Sequence, residues 1–181
     1  MLRTPTRDDA FFQALLGEDP LGAVVRAHIH IEARVNRVLT ALTPHPSHLP
    51  NLRYEQQVKL AVALGLNEEI LQPLKVLGDI RNEFAHSLDI TLTNAMVERL
   101  WQSFSKENQE TIREAYANIH AHLAQNGMPE FEKSDARHRF VTMAVTFDKY
   151  LIVAENEARN SRNVVYQVES AALTRAPHRE R

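Results

Sequence analysis

Apolar residues recur every three or four positions along most of the chain, which is the period of amphipathic α-helices. The pattern predicts successive helices over about 6–17, 20–43, 54–64, 73–86, 94–104, 105–125 and from 134 to about 162. Proline, glycine and asparagine separate them, most clearly in the proline-rich loop 44–50 and at residues 126–129. Strand-like alternation occurs only in the short link 88–92. The chain is therefore predicted to be all-α.

Several helix ends follow from single residues. Thr6 and Ser105 are predicted N-caps, and Gly65 suits the left-handed position just after a helix. Pro73 lies six residues after the predicted cap Asn67, which predicts a short turn at 68–72 and a main helix that starts at Pro73. In the second helix the spacing leaves open whether Ile29 or Ile31 faces the core.

The length of 181 residues suits one helical domain with a single core. We divide the chain into an N-terminal amphipathic helix (1–19), a bundle of about five to seven helices in all (20–165) and a basic tail (166–181). From residue 159 to the end there are five arginines against two glutamates. A solvated tail is the first interpretation of this run, and binding to a polyanion is the second.

Composition excludes several kinds of function. The net charge of -2 argues against a chain that mainly coats nucleic acid, and the absence of cysteine excludes thiolate metal sites and cysteine nucleophiles. No glycine-rich phosphate loop occurs. The pairs His28/His30 and His120/His122 are two residues apart and so point to different sides of a helix, and we predict no metal and no cofactor. The longest apolar stretch, 60–66, is too short for a membrane span, and we expect a cytoplasmic protein.

The helix predicted over 73–86 carries the most informative residues. One side is apolar and faces the core (Leu74, Leu77, Ile80 and Phe84), and another side is polar (Lys75, Asp79, Asn82 and His86). Gly78 costs about 1 kcal/mol relative to alanine in a helix interior. Because Gly78 and Ala85 are small, a second helix could approach closely around Arg81, and we predict them as dimer-interface residues.

The run Ile80-Arg81-Asn82-Glu83-Phe84-Ala85-His86 resembles the R-N-x-x-x-H signature of the HEPN superfamily of small helical domains. With the aliphatic stretch 59–66 before it, the region also resembles the mannitol operon repressor family. The resemblance covers about residues 21–100. It is specific in the ten residues 77–86 and diffuse elsewhere. It implies an up-and-down helical bundle, often a homodimer, in which arginine and histidine from two copies converge on one cleft.

Many HEPN domains are metal-independent ribonucleases, which gives the motif residues implied roles. His86 would carry the proton, Arg81 would hold the phosphate and Asn82 would orient one of them. On one ideal helix, residues five apart lie about 140° from each other. A shared site therefore requires the helix to end near His86 or a second subunit to supply one partner.

Two other interpretations of the motif stay open. Arg81 could pair structurally with Glu83, with Asp79 or with an acid on another helix, while His86 interacts with the last carbonyls of its own helix. Alternatively, the motif could form a binding surface without catalysis. No basic recognition helix is evident, so direct sequence-specific DNA binding is not expected. Our first hypothesis is a regulatory domain that acts through protein partners, including transcriptional regulators. The second is a metal-independent endoribonuclease, a toxin with a cognate antitoxin or a defence component, with RNA as its substrate.

Overall fold

The chain forms seven α-helices within the residues that the computed structural model describes, 7–86, 89–122 and 129–174. They are α1 (Arg7–Gly17), α2 (Pro20–Leu42), α3 (Tyr54–Ala63), α4 (Leu71–Ala85), α5 (Asn94–Gln102), α6 (Lys106–His122) and α7 (Ala136–Thr174). Short 3-10 turns occur at Pro46–His48, Glu68–Ile70 and Phe131–Lys133. Across those described ranges no strand forms, and the prediction of an all-α bundle is confirmed.

The long helices α2 and α7 lie side by side at the centre. The Nε of Arg34 on α2 donates to Oδ1 of Asp148 on α7 at 2.8 Å, and Arg162 near the far end donates to the carbonyl of Thr43 at 3.3 Å. The residue that comes later on the α2 side, Thr43, contacts the residue that comes later on α7, Arg162, so the two helices run in the same direction. Ile31 is 0% exposed and Ile29 is 59% exposed, which assigns Ile31 to the core.

The first helix belongs to the same core as the rest of the bundle. Phe12 and Leu15 of α1 are both 0% exposed, and Arg137 of α7 donates a hydrogen bond to the carbonyl of Leu16. The predicted N-terminal unit 1–19 is thus packed into the bundle where it is described. Its predicted cap, Thr6, lies outside the described residues.

One connection departs from strict up-and-down order. Tyr54, at the start of α3, contacts His28 in the first half of α2, whereas Leu66, just after α3, lines a groove with Val38 in the second half of α2. The loop after α2 therefore returns along that helix, and α3 runs in the same direction as α2. Chain reversal then occurs at Gly65, whose φ of +112° is a conformation that favours glycine.

Two predicted helix boundaries shift for identifiable reasons. Helix α4 begins at Leu71, two residues before the predicted start, because Pro73 falls in the first turn, where its missing N–H has no helical acceptor. Helix α5 ends at Gln102, two residues early, and the hydroxyl of Ser103 donates to the carbonyl of Leu100 at 2.6 Å. Ser105 caps α6 as predicted, accepting from the N–H of Asn108 at 3.3 Å.

The C-terminal helix is longer than its sequence pattern predicts. Helix α7 continues to Thr174, twelve residues beyond the predicted end near Arg162. The predicted tail 166–181 is therefore helical as far as Thr174, and the tail prediction for 175–181 lies outside the described residues, as do residues 123–128 after α6 and 87–88 in the predicted link. Among the described helices, none is long and apolar enough to cross a membrane.

Candidate functional site

Helix α4 has the two-sided character that its sequence predicts. Its apolar side is buried, with Leu74, Leu77, Ile80 and Phe84 between 0% and 3% exposed. The polar side is exposed to solvent at Lys75, Asp79, Asn82 and His86. The core contacts therefore fix the rotation of the helix and present the second half of the polar stripe, with the signature residues, at the surface.

Arg81 and Asn82 form a pair on this surface. Nη1 of the half-buried Arg81 donates to Oδ1 of Asn82 at 3.0 Å. The amide oxygen of Asn82 thus orients the guanidinium without neutralising its charge. A guanidinium has five N–H donors, so this single bond leaves most of its hydrogen-bonding capacity for other acceptors.

His86 stands apart from that pair. It is the C-cap of α4 and is exposed, and its backbone N–H donates to the carbonyl of Glu83 at 3.3 Å. Within the described residues no hydrogen bond or ion pair joins His86 to Arg81. One copy of the chain therefore brings Arg81 together with Asn82 but does not assemble the three signature residues into one site.

The ion pairing that the sequence suggested for Arg81 does not form in the described structure. Glu83 instead pairs with Arg99 on α5. That bridge joins α4 to α5 and engages the carboxylate of Glu83. The structural interpretation of Arg81 as one half of an Arg81–Glu83 salt bridge is therefore wrong.

Gly78 is explained by a contact inside the chain. A Cβ atom at this position would lie 3.1 Å from Cε1 of Tyr54, closer than side chains normally pack. The Tyr54 hydroxyl also donates to the carbonyl of Leu74 at 3.0 Å, so the ring lies flat along α4. The helix that approaches Gly78 is thus α3 of the same chain. Ala85 is exposed, and its place in a dimer interface stays a prediction.

A buried histidine on α2, His28, lies close enough to Arg81 for the two charges to interact. The side chain of His28 on α2 is 3% exposed, its ring centroid lies 4.6 Å from that of Tyr54, and its Nδ1 is 3.6 Å from a carboxylate oxygen of Glu32. Burial, together with the positive charge of Arg81, lowers the pKa of His28 to about 4. A single histidine on an otherwise apolar helix face gives no sequence signal for this arrangement.

The burial of Tyr54 has a matching electrostatic effect. Burial raises the pKa of its hydroxyl, and the nearby charge of Glu32 raises it further. The phenol is therefore a permanent hydrogen-bond donor to α4 over the physiological range. His28, Tyr54 and Gly78 thus pack against one another where α2, α3 and α4 meet.

Beside these residues a shallow groove of about 270 Å³ runs between α3 and α4. Its rim carries charges of both signs, with Lys59 and Glu55 on α3 paired at 2.7 Å and Lys75 and Asp79 on α4. Such a balanced rim lacks the concentrated positive charge that attracts a polyanion. It is better matched to a surface that also carries both signs.

Histidine and carboxylate side chains are the groups in this chain that could bind a metal ion. In the described part of the chain no group of three or more histidine, aspartate or glutamate side chains is arranged to hold a metal ion. His28 faces Tyr54 and Glu32, whereas His30 contacts Phe11, so these two histidines point away from each other. The chemistry of the candidate site therefore rests on Arg81, Asn82 and His86.

Comparison with known proteins adds no assignment, since no family model, curated protein or solved structure matches this chain. The resemblance to the HEPN superfamily and the mannitol operon repressor family rests on the signature residues and the aliphatic stretch 59–66. It stays a prediction.

Proposed function

We propose that this protein is a HEPN-type, mannitol-repressor-like regulatory domain that acts by binding protein partners, with transcriptional regulation as its setting, and that it forms a homodimer. The observation that carries the proposal is the state of Arg81. Its guanidinium is oriented by Asn82 and has no carboxylate partner in the described structure. An oriented arginine at a protein surface is a common anchor in protein interfaces.

The surroundings of Arg81 favour a protein over a nucleic acid as its partner. The rim between α3 and α4 has lysines and carboxylates interspersed, and the chain as a whole carries a net charge of -2. Nucleic-acid binding draws most of its affinity from clustered positive charge. A partner that presents a carboxylate to Arg81 and mixed charges to the rim fits this face better.

The proposal is tested by affinity capture from the native host with three tagged versions of the full chain. We expect partners retained by the parent to be lost with Arg81→Ala and kept with Lys106→Ala, a control at an exposed lysine at the start of α6. Both variants remove one cation from the surface, so nonspecific charge effects cancel. Equal partner sets for Arg81→Ala and the parent would contradict the proposal.

The second candidate is a metal-independent endoribonuclease that acts as a toxin or a defence component. One observation favours it, because Asn82 orients Arg81 as the HEPN resemblance implies for a phosphate-holding arginine. Since Arg81 and His86 are not joined within one chain, this function needs a second copy to bring His86 to Arg81. The cleft would then hold the phosphate at Arg81 and pass a proton through His86.

This second candidate makes a specific prediction about mixtures. Arg81→Ala and His86→Ala would each be inactive alone, but a heterodimer of the two retains one intact Arg81–His86 combination. Cleavage of RNA in EDTA should reappear when the two variants are unfolded and refolded together. An inactive mixture from an active parent would show that one chain supplies both residues.

A further inference from the structure

A second, larger cavity lies on the opposite end of the bundle from the signature face. It is an open groove with a volume of about 860 Å³. Its walls are the last turns of α2, the turn between α3 and α4, and the middle of α7. Its floor is apolar, with Val38, Ala41 and Leu66 at 1%, 3% and 6% exposure. Volumes of this size with an apolar floor are typical of small-molecule sites.

Helix α7 leaves the space open because it presents small side chains there. Ala154, Ala158 and Ser161 line the groove at intervals of four and three residues, so they share one face of the helix. Leu64, a hydrophobic side chain that is 39% exposed, lies at the rim. An apolar body in the groove would cover this leucine as well as the floor.

The groove is also lined by an arginine whose hydrogen-bonding capacity is only partly used. Arg162 lines the groove, and its single hydrogen bond in the described structure runs from Nη1 to the carbonyl of Thr43 at 3.3 Å. A guanidinium has five N–H donors, so this single bond leaves donors of Arg162 for a ligand oxygen in the groove.

One carboxylate, that of Glu157, also lines this groove. It is exposed to solvent, whereas Arg162 is half-buried, so the electrostatic influence of Arg162 on a buried ligand is the stronger of the two. The two charges act on a bound anion with opposite signs. Removing the charge of Arg162 should therefore weaken the binding of an anion, and removing the charge of Glu157 should strengthen it.

We propose that this groove binds a small amphipathic carboxylate, with its carboxylate at Arg162 and its aliphatic body over Val38 and Leu66. None of the three signature residues lines this site, so the inference stands independently of the proposed function. It adds a small-molecule effector site to a domain whose other face is proposed to bind protein.

The test uses octanoate as the probe and 1-octanol as its uncharged counterpart, both titrated calorimetrically into the full chain. We expect saturable binding of one octanoate per chain, at least tenfold tighter than that of octanol. Arg162→Gln should weaken octanoate binding at least tenfold, and Glu157→Gln should tighten it. Arg159→Gln is the matched control, because Arg159 lies on the same helix but is exposed and paired with Glu155 at 2.8 Å.

A blocking variant checks the location. Ala158→Trp fills the groove and should abolish binding of both probes, with circular dichroism used to verify that the variant is folded. If that variant does not fold, the opposite effects of Arg162→Gln and Glu157→Gln decide the question alone. The proposal is overturned if the parent shows no saturable octanoate binding. It is also overturned if Arg162→Gln binds octanoate as tightly as the parent and the control Arg159→Gln do.

Discussion

Two arginines in this bundle have opposite environments. Arg34 lies between α2 and α7 with its side chain 7% exposed, and it pairs with Asp148 at 2.8 Å and with Glu155 at 3.9 Å. Arg81 lies at the surface of α4 and bonds only the amide oxygen of Asn82 in the described structure, while the nearby Glu83 pairs with Arg99. One guanidinium is neutralised inside the chain, and the other keeps its charge for contacts outside it.

The difference separates a role in stability from the binding role that we propose for Arg81. Arg34 and Asp148 are 114 residues apart in sequence, so their hydrogen bond fixes the register of the two central helices. Arg81 bonds only its neighbour in sequence, and that bond joins no two helices.

The largest expected effect is that of Arg34→Ala. The substitution leaves the buried carboxylate of Asp148 without its cation, whereas Glu155 keeps its pairing with Arg159, and the free energy of unfolding should fall by about 3–5 kcal/mol. Urea denaturation measures the change. Arg34→Met combined with Asp148→Leu should recover part of the loss, and a loss below 1 kcal/mol for Arg34→Ala would show that the buried pair does not hold the two helices together.

A pH titration tests the environment of the buried histidine. The pKa of His28 is lowered to about 4 in the folded chain, so between about pH 6.5 and 4 the unfolded chain binds more protons. The folded state should therefore lose up to about 3 kcal/mol as the pH falls through this window, despite the opposing carboxylate of Glu32. His28→Gln should flatten this dependence, as followed by denaturation at each pH. Identical pH profiles for the parent and His28→Gln would contradict the assignment.

The next effect tests whether Gly78 serves the chain itself or a dimer. Gly78→Leu should cost about 1–3 kcal/mol of stability, because the added side chain collides with the ring of Tyr54. Tyr54→Ala in the same chain should make the leucine less costly than it is alone, which a double-mutant cycle of unfolding free energies detects. A stable Gly78→Leu variant that has become monomeric by light scattering would instead place Gly78 in the dimer interface.

Much of this fold is predictable from sequence because the period of apolar residues dictates it. The core stripe of α4, the turn at Gly65 and the cap at Ser105 all depend on neighbours within one turn of helix. The contacts that define the site are not local. The ring of Tyr54 over Gly78 and the burial of His28 depend on the return of the chain along α2, which no local pattern encodes. Helix α7 is also longer than the helix that the apolar pattern predicts, because it continues to Thr174, past the last predicted core residues.

The smallest expected stability effects belong to the signature itself. Arg81→Ala and His86→Ala should each change the free energy of unfolding by less than about 0.5 kcal/mol, because both side chains contact solvent and neither bonds a carboxylate in the described structure. Thermal denaturation of both variants beside Arg34→Ala gives the comparison directly. A loss above about 2 kcal/mol for Arg81→Ala would make it a structural residue like Arg34.

We propose that the Arg81 face binds a protein partner and does not carry acid–base chemistry. The most direct test is to incubate the purified chain with total cellular RNA in EDTA, beside His86→Ala. We expect the parent to leave the RNA intact, as the variant does. Cleavage by the parent that is absent with His86→Ala would contradict this proposal and establish the ribonuclease instead.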